Sequence, residues 1–264
     1  DLTDTKTIAH LLKYDSVYGK LDKEVGFTEK AVLVDGKEYP VLLEKEPEKL
    51  PWKKLGVDVV LECTGLFTSL KDAKKHISAG AKKVIISAPS KDKEVPGFVL
   101  GVNANSFKLK DFDVVDMGSC TTNCLAAMVK VLNDNFGVKK GFMTTIHSYT
   151  NDQKILDLPH RDLRRARAAA INIIPTTTGA AKSIGKMIPE LDGKLDGIAL
   201  RVPTPVVSIL DLIVEVEKTA TKDEVNAVFK KAALQDNFKG ILAVEENQLV
   251  SSDFKGNTHS AIID

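Results

Sequence analysis

The sequence contains only three cysteines in 264 residues, a number that is both small and odd. A disulfide framework of the kind that stabilises secreted proteins needs a dense and even set, so the cysteine content favours a reducing compartment. No apolar run approaches the ~20 residues with which a helix crosses a bilayer. The 37 basic and 36 acidic side chains nearly cancel, so no overall field would attract nucleic acid or a membrane surface. These absences leave a cytosolic enzyme as the expected class of protein.

The first half of the chain does contain a regular alternation of short apolar segments with helical ones. Residues 58–65 and 82–90 are typical of buried strands, and residues 69–80 between them of a helix capped by Ser69. Strands that are apolar throughout and alternate with helices predict a parallel sheet covered on both faces. Ligands of such sheets bind beyond the carboxyl ends of the strands. The strand ends concerned are Thr64–Gly65, Ser87–Ala88 and Gly118–Ser119.

The second half of the chain follows a different order. A helix over residues 120–136 leads into a strand over residues 141–151 that is rich in β-branched side chains, and residues 198–217 form one long strand pattern. Strands and helices in this order predict an α+β domain with an antiparallel sheet. We therefore expect two domains, one of residues 1–119 and one of residues 120–264.

Two of the three cysteines, Cys120 and Cys124, lie four positions apart in the segment GSCTTNC. A disulfide between them is disfavoured because a rigid helix rarely allows the required geometry, and a zinc site lacks companions at ligand spacings. Ser119 is a suitable N-cap, which puts Cys120 in the first helical turn, where free N–H groups and the helix dipole stabilise a thiolate. Cys124 faces the same side as Met128 and is expected in the core. For either cysteine, simple burial as a small apolar residue remains the alternative.

A thiolate nucleophile usually needs a base, and the chain has five histidines. His10 and His76 lie in predicted helices among lysines and are expected to be in solvent. His147 is on the strand that directly follows the helix of Cys120, so the strand can return it to the start of that helix. A strand histidine with no catalytic role is at least as common, so spacing alone leaves both interpretations open.

Three further stretches are polar where an anion would bind. Residues 175–180 supply hydroxyl groups and a glycine N–H directly before a predicted helix. Arg201 lies among apolar residues, where it would be costly to bury unless a ligand or a carboxylate pairs with it. Arg164, Arg165 and Arg167 form a basic cluster, for which a solvated or interface surface is the alternative interpretation.

Five long segments of the sequence resemble the phosphorylating glyceraldehyde-3-phosphate dehydrogenase family. They are, in order, SCTTNCLA, TTIHSYTNDQ, LPHRDLRRARAAAINIIPTTTGAAK, LRVPTPVVSILDL and LVSSDFKGNTHSAIID. The resemblance implies a Rossmann-type doubly wound NAD-binding α/β domain over residues 1–119, lacking its first strand in this sequence. It implies an α+β catalytic domain with a mostly antiparallel sheet over residues 120–264.

The resemblance also implies the reaction. D-glyceraldehyde 3-phosphate would be oxidised and phosphorylated to 1,3-bisphosphoglycerate in glycolysis, with Cys120 forming a thiohemiacetal and then a thioester, and His147 acting as base. By motif match, the residues for the C3 phosphate of the substrate are Thr150, Arg201 and Arg164. Those for the attacking inorganic phosphate are Ser119, Thr121, Thr178 and Gly179.

For the cofactor, the resemblance implies NAD. Asp1 matches the acidic residue that binds the adenosine ribose hydroxyls, and its carboxylate would repel the 2′-phosphate of NADP. The pair Leu158–Pro159 resembles that of NAD-preferring members. Thr64, Gly65 and Ser87 match cofactor-side positions at strand ends, and no metal is implied.

The resemblance further implies a cytoplasmic homotetramer, with the loop over residues 150–175 at subunit and cofactor contacts and no membrane or nucleic-acid partner. The family's Gly-rich pyrophosphate loop would lie before Asp1 and its last helix after Asp264, so we expect both termini to be cut relative to a longer natural chain. Two alternatives remain: a related dehydrogenase acting on erythrose 4-phosphate, and a binding protein that keeps the fold without catalysis.

Overall fold

The computed structural model describes residues 2–106, 108 and 110–264. Its α-helices are α1 (Thr5–Lys13), α2 (Trp52–Leu55), α3 (Leu70–Ser78), α4 (Cys120–Phe136), α5 (Ala180–Met187) and α6 (Lys222–Ala233). Its strands are β1 (Tyr14–Asp15), β2 (Gly19–Lys20), β3 (Val25–Phe27), β4 (Ala31–Val34), β5 (Lys37–Pro40), β6 (Val59–Glu62), β7 (Lys83–Ile86), β8 (Val114–Asp116), β9 (Val138–Ser148), β10 (Ile174–Thr177), β11 (Leu195–Val202), β12 (Ile209–Val216), β13 (Leu242–Val244) and β14 (Ala261–Ile263). None of these helices has the length and apolar composition needed to cross a bilayer.

A parallel sheet in the order β6-β7-β8 occupies the first part of the chain. Its strands end in register, with Glu62 opposite Ile86 and Ile86 opposite Asp116, so the segments that follow them start at one edge. Helix α3 packs on one face, and its Ala73 and Ile77 belong to the same apolar cluster as Val84. The predicted parallel sheet is therefore confirmed.

The prediction that both faces of this sheet are covered is wrong at β6. The alternate side chains Val59 and Leu61 are 46% and 64% exposed, whereas Val60 and Glu62 are buried. Within the described residues, nothing buries Val59 and Leu61. A run of apolar letters gives the same strand prediction whether one or both faces are buried.

A mixed sheet in the order β10-β11-β9-β12 forms the centre of the second part. The outer pairs are antiparallel and the central pair, β11 with β9, is parallel. The expected mostly antiparallel sheet is thus confirmed, but residues 198–217 are two strands rather than one. Pro203 and Pro205 lie between β11 and β12, and a proline cannot donate to a strand ladder.

Helices α4 and α5 cover the inner face of the mixed sheet. Leu125 and Val129 of α4, Ile184 of α5 and Met143 and Leu195 of the sheet belong to one apolar core. The opposite face, which we call the outer face, carries exposed apolar side chains. They are Phe142 (45% exposed), Ile198 (43%), Ile209 (57%) and Ile213 (70%).

Candidate active site

A tight turn after β8 sets the first residue of α4. Gly118 has φ +66°, and a Cβ there would lie 3.0 Å from the side chain of Thr122, so only glycine suits the position. The side chain of Ser119 then accepts a hydrogen bond from the Thr122 N–H at 3.1 Å. Ser119 is therefore the N-cap, as predicted, and Cys120 is the first residue of the helix.

The structure brings Cys120 and His147 into contact. Sγ of Cys120 lies 3.3 Å from Nε2 of His147, which is buried at the end of β9. The hydrogen bond with His147 holds the pKa of the Cys120 thiol below its ordinary value, against the opposing effect of burial. The charge of His147 and hydrogen bonds with Thr121 act in the same lowering direction. The pair therefore favours an exposed thiolate beside a base.

The second ring nitrogen of His147 indicates where its proton lies. Nδ1 is 2.6 Å from the carbonyl oxygen of Ser148 and 2.8 Å from Nη1 of Arg201. A carbonyl only accepts and a guanidinium only donates, so one neutral ring cannot bond to both through Nδ1. We assign the proton to Nδ1, because Arg201 Nη1 has its own acceptor in the Ser148 carbonyl at 2.9 Å. Nε2 is then free to take a proton from Cys120.

Cys124 has a different environment one turn along α4. It packs against the main core, its Sγ lies 3.9 Å from Sδ of Met128, and burial raises the pKa of its thiol to about 11. All three cysteines are free thiols. The expected core position of Cys124 is confirmed.

Arg201 lies next to the cysteine–histidine pair because β11 and β9 run side by side, with Arg201 directly opposite His147. Its Nε is buried and, among the described residues, has no hydrogen-bond partner. Burial lowers the pKa of Arg201, and the nearby charge of Arg165 lowers it further. In the part of the chain that the structure describes, no carboxylate pairs directly with this half-buried guanidinium, an arrangement that suits a bound anion.

Arg165, which the sequence did not single out from its cluster, donates a hydrogen bond from each of its three guanidinium nitrogens. Nη1 donates to Asp152 at 2.6 Å, Nε to the Thr176 hydroxyl at 3.0 Å and Nη2 to the Thr177 carbonyl at 3.2 Å. Asp152 also contacts His160 Nε2 at 3.1 Å. These bonds hold the loop before β10, and only the tertiary contacts reveal them.

Among the described residues, four others expected at the anion sites make no hydrogen bond to Cys120 or His147. Nη1 of Arg164 donates to the Pro175 carbonyl at 3.4 Å, and its side chain lines an open surface cavity of about 550 Å³ together with Ile198, which is on the outer face. Thr150 is exposed. The hydroxyl of Thr178 accepts from the Ala180 N–H at 3.2 Å, at the start of α5 beside Gly179. No hydrogen bond among the described residues joins Thr178 or Gly179 to Cys120.

The cofactor residues expected after the parallel strands meet at one sheet edge. Thr64 and Gly65 follow β6 and Ser87 follows β7, while Asp1 lies outside the described residues. Beside Gly65 there is open space, with no atom within 4 Å of where a Cβ would stand. The edge therefore offers the Ser87 hydroxyl and open space beside the Gly65 backbone, while the Thr64 hydroxyl donates to Glu62. A hydroxyl group and an open glycine backbone fit the sugar and phosphate groups of a dinucleotide.

A buried hydrogen-bond chain supports this edge, and it corrects the expectation that His76 is in solvent: the side chain is buried. The indole N–H of Trp52 donates to His76 Nδ1 at 3.0 Å, so Nε2 carries the ring proton and donates to Glu62 at 3.0 Å. Glu62 in turn accepts from the N–H of Thr64 at 2.8 Å and from its hydroxyl. The flanking lysines suggested that His76 faces solvent. Its partners Glu62 and Trp52 belong to other elements, so sequence spacing could not identify them.

Comparisons with known proteins agree with this arrangement. A model of the glyceraldehyde 3-phosphate dehydrogenase NAD binding domain matches residues 1–70, and a model of the C-terminal domain of the same enzyme matches residues 119–264. The chain is 57% identical over all 264 of its residues to a glyceraldehyde-3-phosphate dehydrogenase of Streptomyces coelicolor, and covers 78% of that protein. It is 58% identical to one of Geobacillus stearothermophilus and 56% to one of Bacillus subtilis, in both cases over the whole chain and 78% of the relative.

Proposed function

The chain belongs to the glyceraldehyde-3-phosphate dehydrogenase family, and we propose that Cys120 and His147 are the catalytic residues of this activity. The family makes the protein an NAD-dependent oxidoreductase of glycolysis that converts D-glyceraldehyde 3-phosphate to 1,3-bisphosphoglycerate. One observation carries the assignment of residues: the 3.3 Å contact between Sγ and Nε2, with the thiol pKa held low by that histidine.

The first step is attack of the Cys120 thiolate on the aldehyde carbon. The S–C bond forms, the carbonyl electron pair moves to oxygen, and that oxygen takes the proton that Nε2 of His147 accepted from Cys120, which gives a thiohemiacetal and a neutral imidazole. Nε2 of His147 then removes the hydroxyl proton as the carbon is oxidised to a thioester. The chemistry that bound NAD supplies is acceptance of the hydride that leaves this carbon, and Thr64, Gly65, Ser87 and Asp1 would hold it.

The second half of the reaction releases the acyl group. An oxygen of inorganic phosphate attacks the thioester carbon, the C–S bond breaks, and the electron pair returns to Cys120 as thiolate. Arg201 and Thr150 bind the C3 phosphate, with Arg164 as a third candidate; the unpaired Nε of Arg201 supports its role. We assign the attacking phosphate to four residues at the starts of α4 and α5. They are Ser119, Thr121, Thr178 and Gly179.

Phosphate-dependent NADH formation with the triose phosphate tests this proposal. Cys120→Ser is expected to lower kcat by roughly a thousandfold or more, because a hydroxyl is a far weaker nucleophile than a thiolate. Cys124→Ala is the matched control and should retain activity, since Cys124 packs against the core and its thiol contacts Met128 rather than His147. Turnover that survives in Cys120→Ser would contradict the assignment. A higher kcat/KM with erythrose 4-phosphate would redirect it to that substrate.

We also infer that the protein works as a homotetramer. The exposed apolar side chains of the outer face, Phe142, Ile209 and Ile213 among them, support this, because monomers rarely leave such a patch in water. The loop before β10 adds Ile155 (85% exposed) and Leu163 (82%). Light scattering of the purified protein gives the subunit number directly.

We place the division between the NAD-binding and catalytic domains at residues 119 and 120. The end of β8 at Asp116 and the start of α4 at Cys120 support this boundary. We also infer a cytoplasmic location, which the three free thiols support. Limited proteolysis tests the domain boundary, and cell fractionation tests the location.

A further inference from the structure

The side chain of Asp116 is a fully buried carboxylate at the end of β8. Its accessible surface is 0%, and Lys186 of α5, itself 24% exposed, is its charged partner, with Nζ 2.6 Å from Oδ2. Oδ2 also accepts from the Ser90 N–H at 3.1 Å, and Oδ1 accepts from the Gly118 N–H at 3.0 Å. Each of these partners is a donor, so both carboxylate oxygens act as acceptors here.

These partners belong to three different segments. Ser90 lies in the loop that follows β7 and Ser87, Gly118 is the turn that starts α4, and Lys186 is in the last turn of α5. A single carboxylate therefore connects the cofactor edge, the nucleophile's helix and the helix whose first turn follows Gly179. The proposed chemistry requires these three to keep a constant relative placement.

Close backbone packing surrounds the same carboxylate. The Asp116 N–H donates to the Pro96 carbonyl and the Phe98 N–H donates to the Asp116 carbonyl, both at 2.9 Å. A Cβ on Gly97 would overlap the end of the Met187 side chain and lie 3.1 Å from Asp116 Oδ1. The end of α5 is thus held directly against the strand end, so Lys186 has little freedom to release the carboxylate.

We propose that the Asp116–Lys186 ion pair positions Cys120 by fixing the start of α4 against the cofactor edge and against α5. Asp116 is fully buried and is not among the residues proposed to bind substrate or cofactor, so we assign it a positioning role rather than a catalytic one. The inference rests on the proposed role of Cys120 and adds the ion pair that holds Cys120 in position. Breaking a buried pair leaves an uncompensated charge, so the start of α4 shifts when Lys186 is replaced.

The test compares Lys186→Met with Lys186→Arg and with Lys182→Met, a control on an exposed lysine of the same helix. Lys186→Met is expected to lower kcat about tenfold or more, because small displacements of reacting groups cost that much. KM for the triose phosphate should change less than about twofold, since Arg201 lies on a different element. Lys186→Arg should recover most of kcat, and Lys182→Met should match the unchanged protein.

A second readout needs neither cofactor nor turnover. The rate of Cys120 alkylation by iodoacetamide, measured against pH, reports the thiolate, which faces His147 on β9, Arg201 on β11 and Cys124 in its own helix. In Lys186→Met its inflection should move to higher pH because the contact with His147 is disturbed. If Lys186→Met only destabilised the fold, the molecules that remain folded would show the alkylation inflection at the same pH as the unchanged protein.

Unchanged kcat and an unchanged alkylation inflection in Lys186→Met would overturn the proposal. If that variant fails to fold, the double variant Asp116→Asn with Lys186→Met removes the buried charge, and the same two readouts decide. Turnover in Cys120→Ser would instead refute the proposed function. The two failures are therefore distinguishable.

Discussion

Cys120 and Cys124 belong to the same helix, one turn apart, and differ in hydrogen bonding and burial. Cys120 starts the helix and contacts His147, which holds its pKa low. Cys124 packs in the core, where burial raises its pKa to about 11. Because the thiolate is the reactive form, the two residues should differ strongly in rate toward electrophiles.

The first prediction is selective alkylation. At neutral pH, a single equivalent of iodoacetamide should modify Cys120 well before Cys124, because only Cys120 has a thiolate-stabilising partner. Peptide mass spectrometry of timed samples measures both sites in one experiment. Equal rates at the two cysteines in folded protein would contradict this account.

The second prediction concerns His147→Asn. The hydrogen bond of His147 lowers the pKa of Cys120, so its loss should raise that pKa toward the ordinary thiol value and move the alkylation profile to higher pH. At a fixed pH below the inflection, the thiolate fraction falls roughly tenfold for every increase of one in the pKa of Cys120. His10→Asn, on the exposed surface of α1, is the control. An unchanged profile in His147→Asn would remove His147 from the reactive pair.

The third prediction concerns Arg201→Met. If the guanidinium binds the C3 phosphate, KM for the triose phosphate should rise about tenfold or more, since a hydrogen bond to a charged group contributes about 1.5–3 kcal/mol. Arg167→Met provides the control, because Arg167 is exposed and paired with Asp157. Steady-state kinetics at saturating NAD and inorganic phosphate gives the comparison. A KM equal to that of the control would refute the phosphate role.

At the scale of elements, the sequence predicted the features that depend on hydrogen bonds between neighbouring residues. The cap at Ser119 and the extent of α4 follow from residues within one turn, so the sequence sufficed. The Asp116–Lys186 pair joins residues 70 positions apart, and no spacing rule indicates it. His76 was misplaced for the same reason, because its partner Glu62 comes from another element.

The fourth prediction tests that buried chain through His76→Leu. The change leaves Oε2 of Glu62 and the Trp52 N–H without the His76 ring, while Thr64 still donates to the other oxygen, so the free energy of unfolding should fall by about 2 kcal/mol or more. Trp52 is the only tryptophan, so its fluorescence follows unfolding in urea. His10→Leu should change stability by no more than about 0.5 kcal/mol. Equal stability of the two variants would show that the hydrogen bonds of His76 with Trp52 and Glu62 do not stabilise the fold.

At the scale of the whole molecule, the order of elements predicted the two kinds of sheet, but not which faces remain uncovered. The outer face of the mixed sheet carries Phe142 and Ile213 in water, although its strands have the same apolar letters as a buried sheet. Burial depends on what packs against a strand, and a partner subunit leaves no signal in the strand itself. The outer face is therefore the part of the fold whose environment the proposed tetramer would change.

The fifth prediction concerns Ile213→Lys. If the outer face is the proposed subunit contact, a charge at this exposed position should reduce the tetramer to smaller species, because an unpaired ammonium group is costly to bury. Leu234→Lys, at a site 83% exposed and outside the outer face, is the control. Size-exclusion chromatography with light scattering measures the mass. A tetramer that survives Ile213→Lys would place the contact elsewhere.

The shared end point of the three parallel strands has a consequence for how substitutions combine. Glu62, Ile86 and Asp116 lie in register, and the segments that carry Thr64, Ser87 and Cys120 start directly after these strands. A displacement of one strand end passes to its neighbour through the hydrogen bonds of the ladder. Substitutions at the cofactor edge and at the start of α4 are therefore expected to be coupled rather than additive.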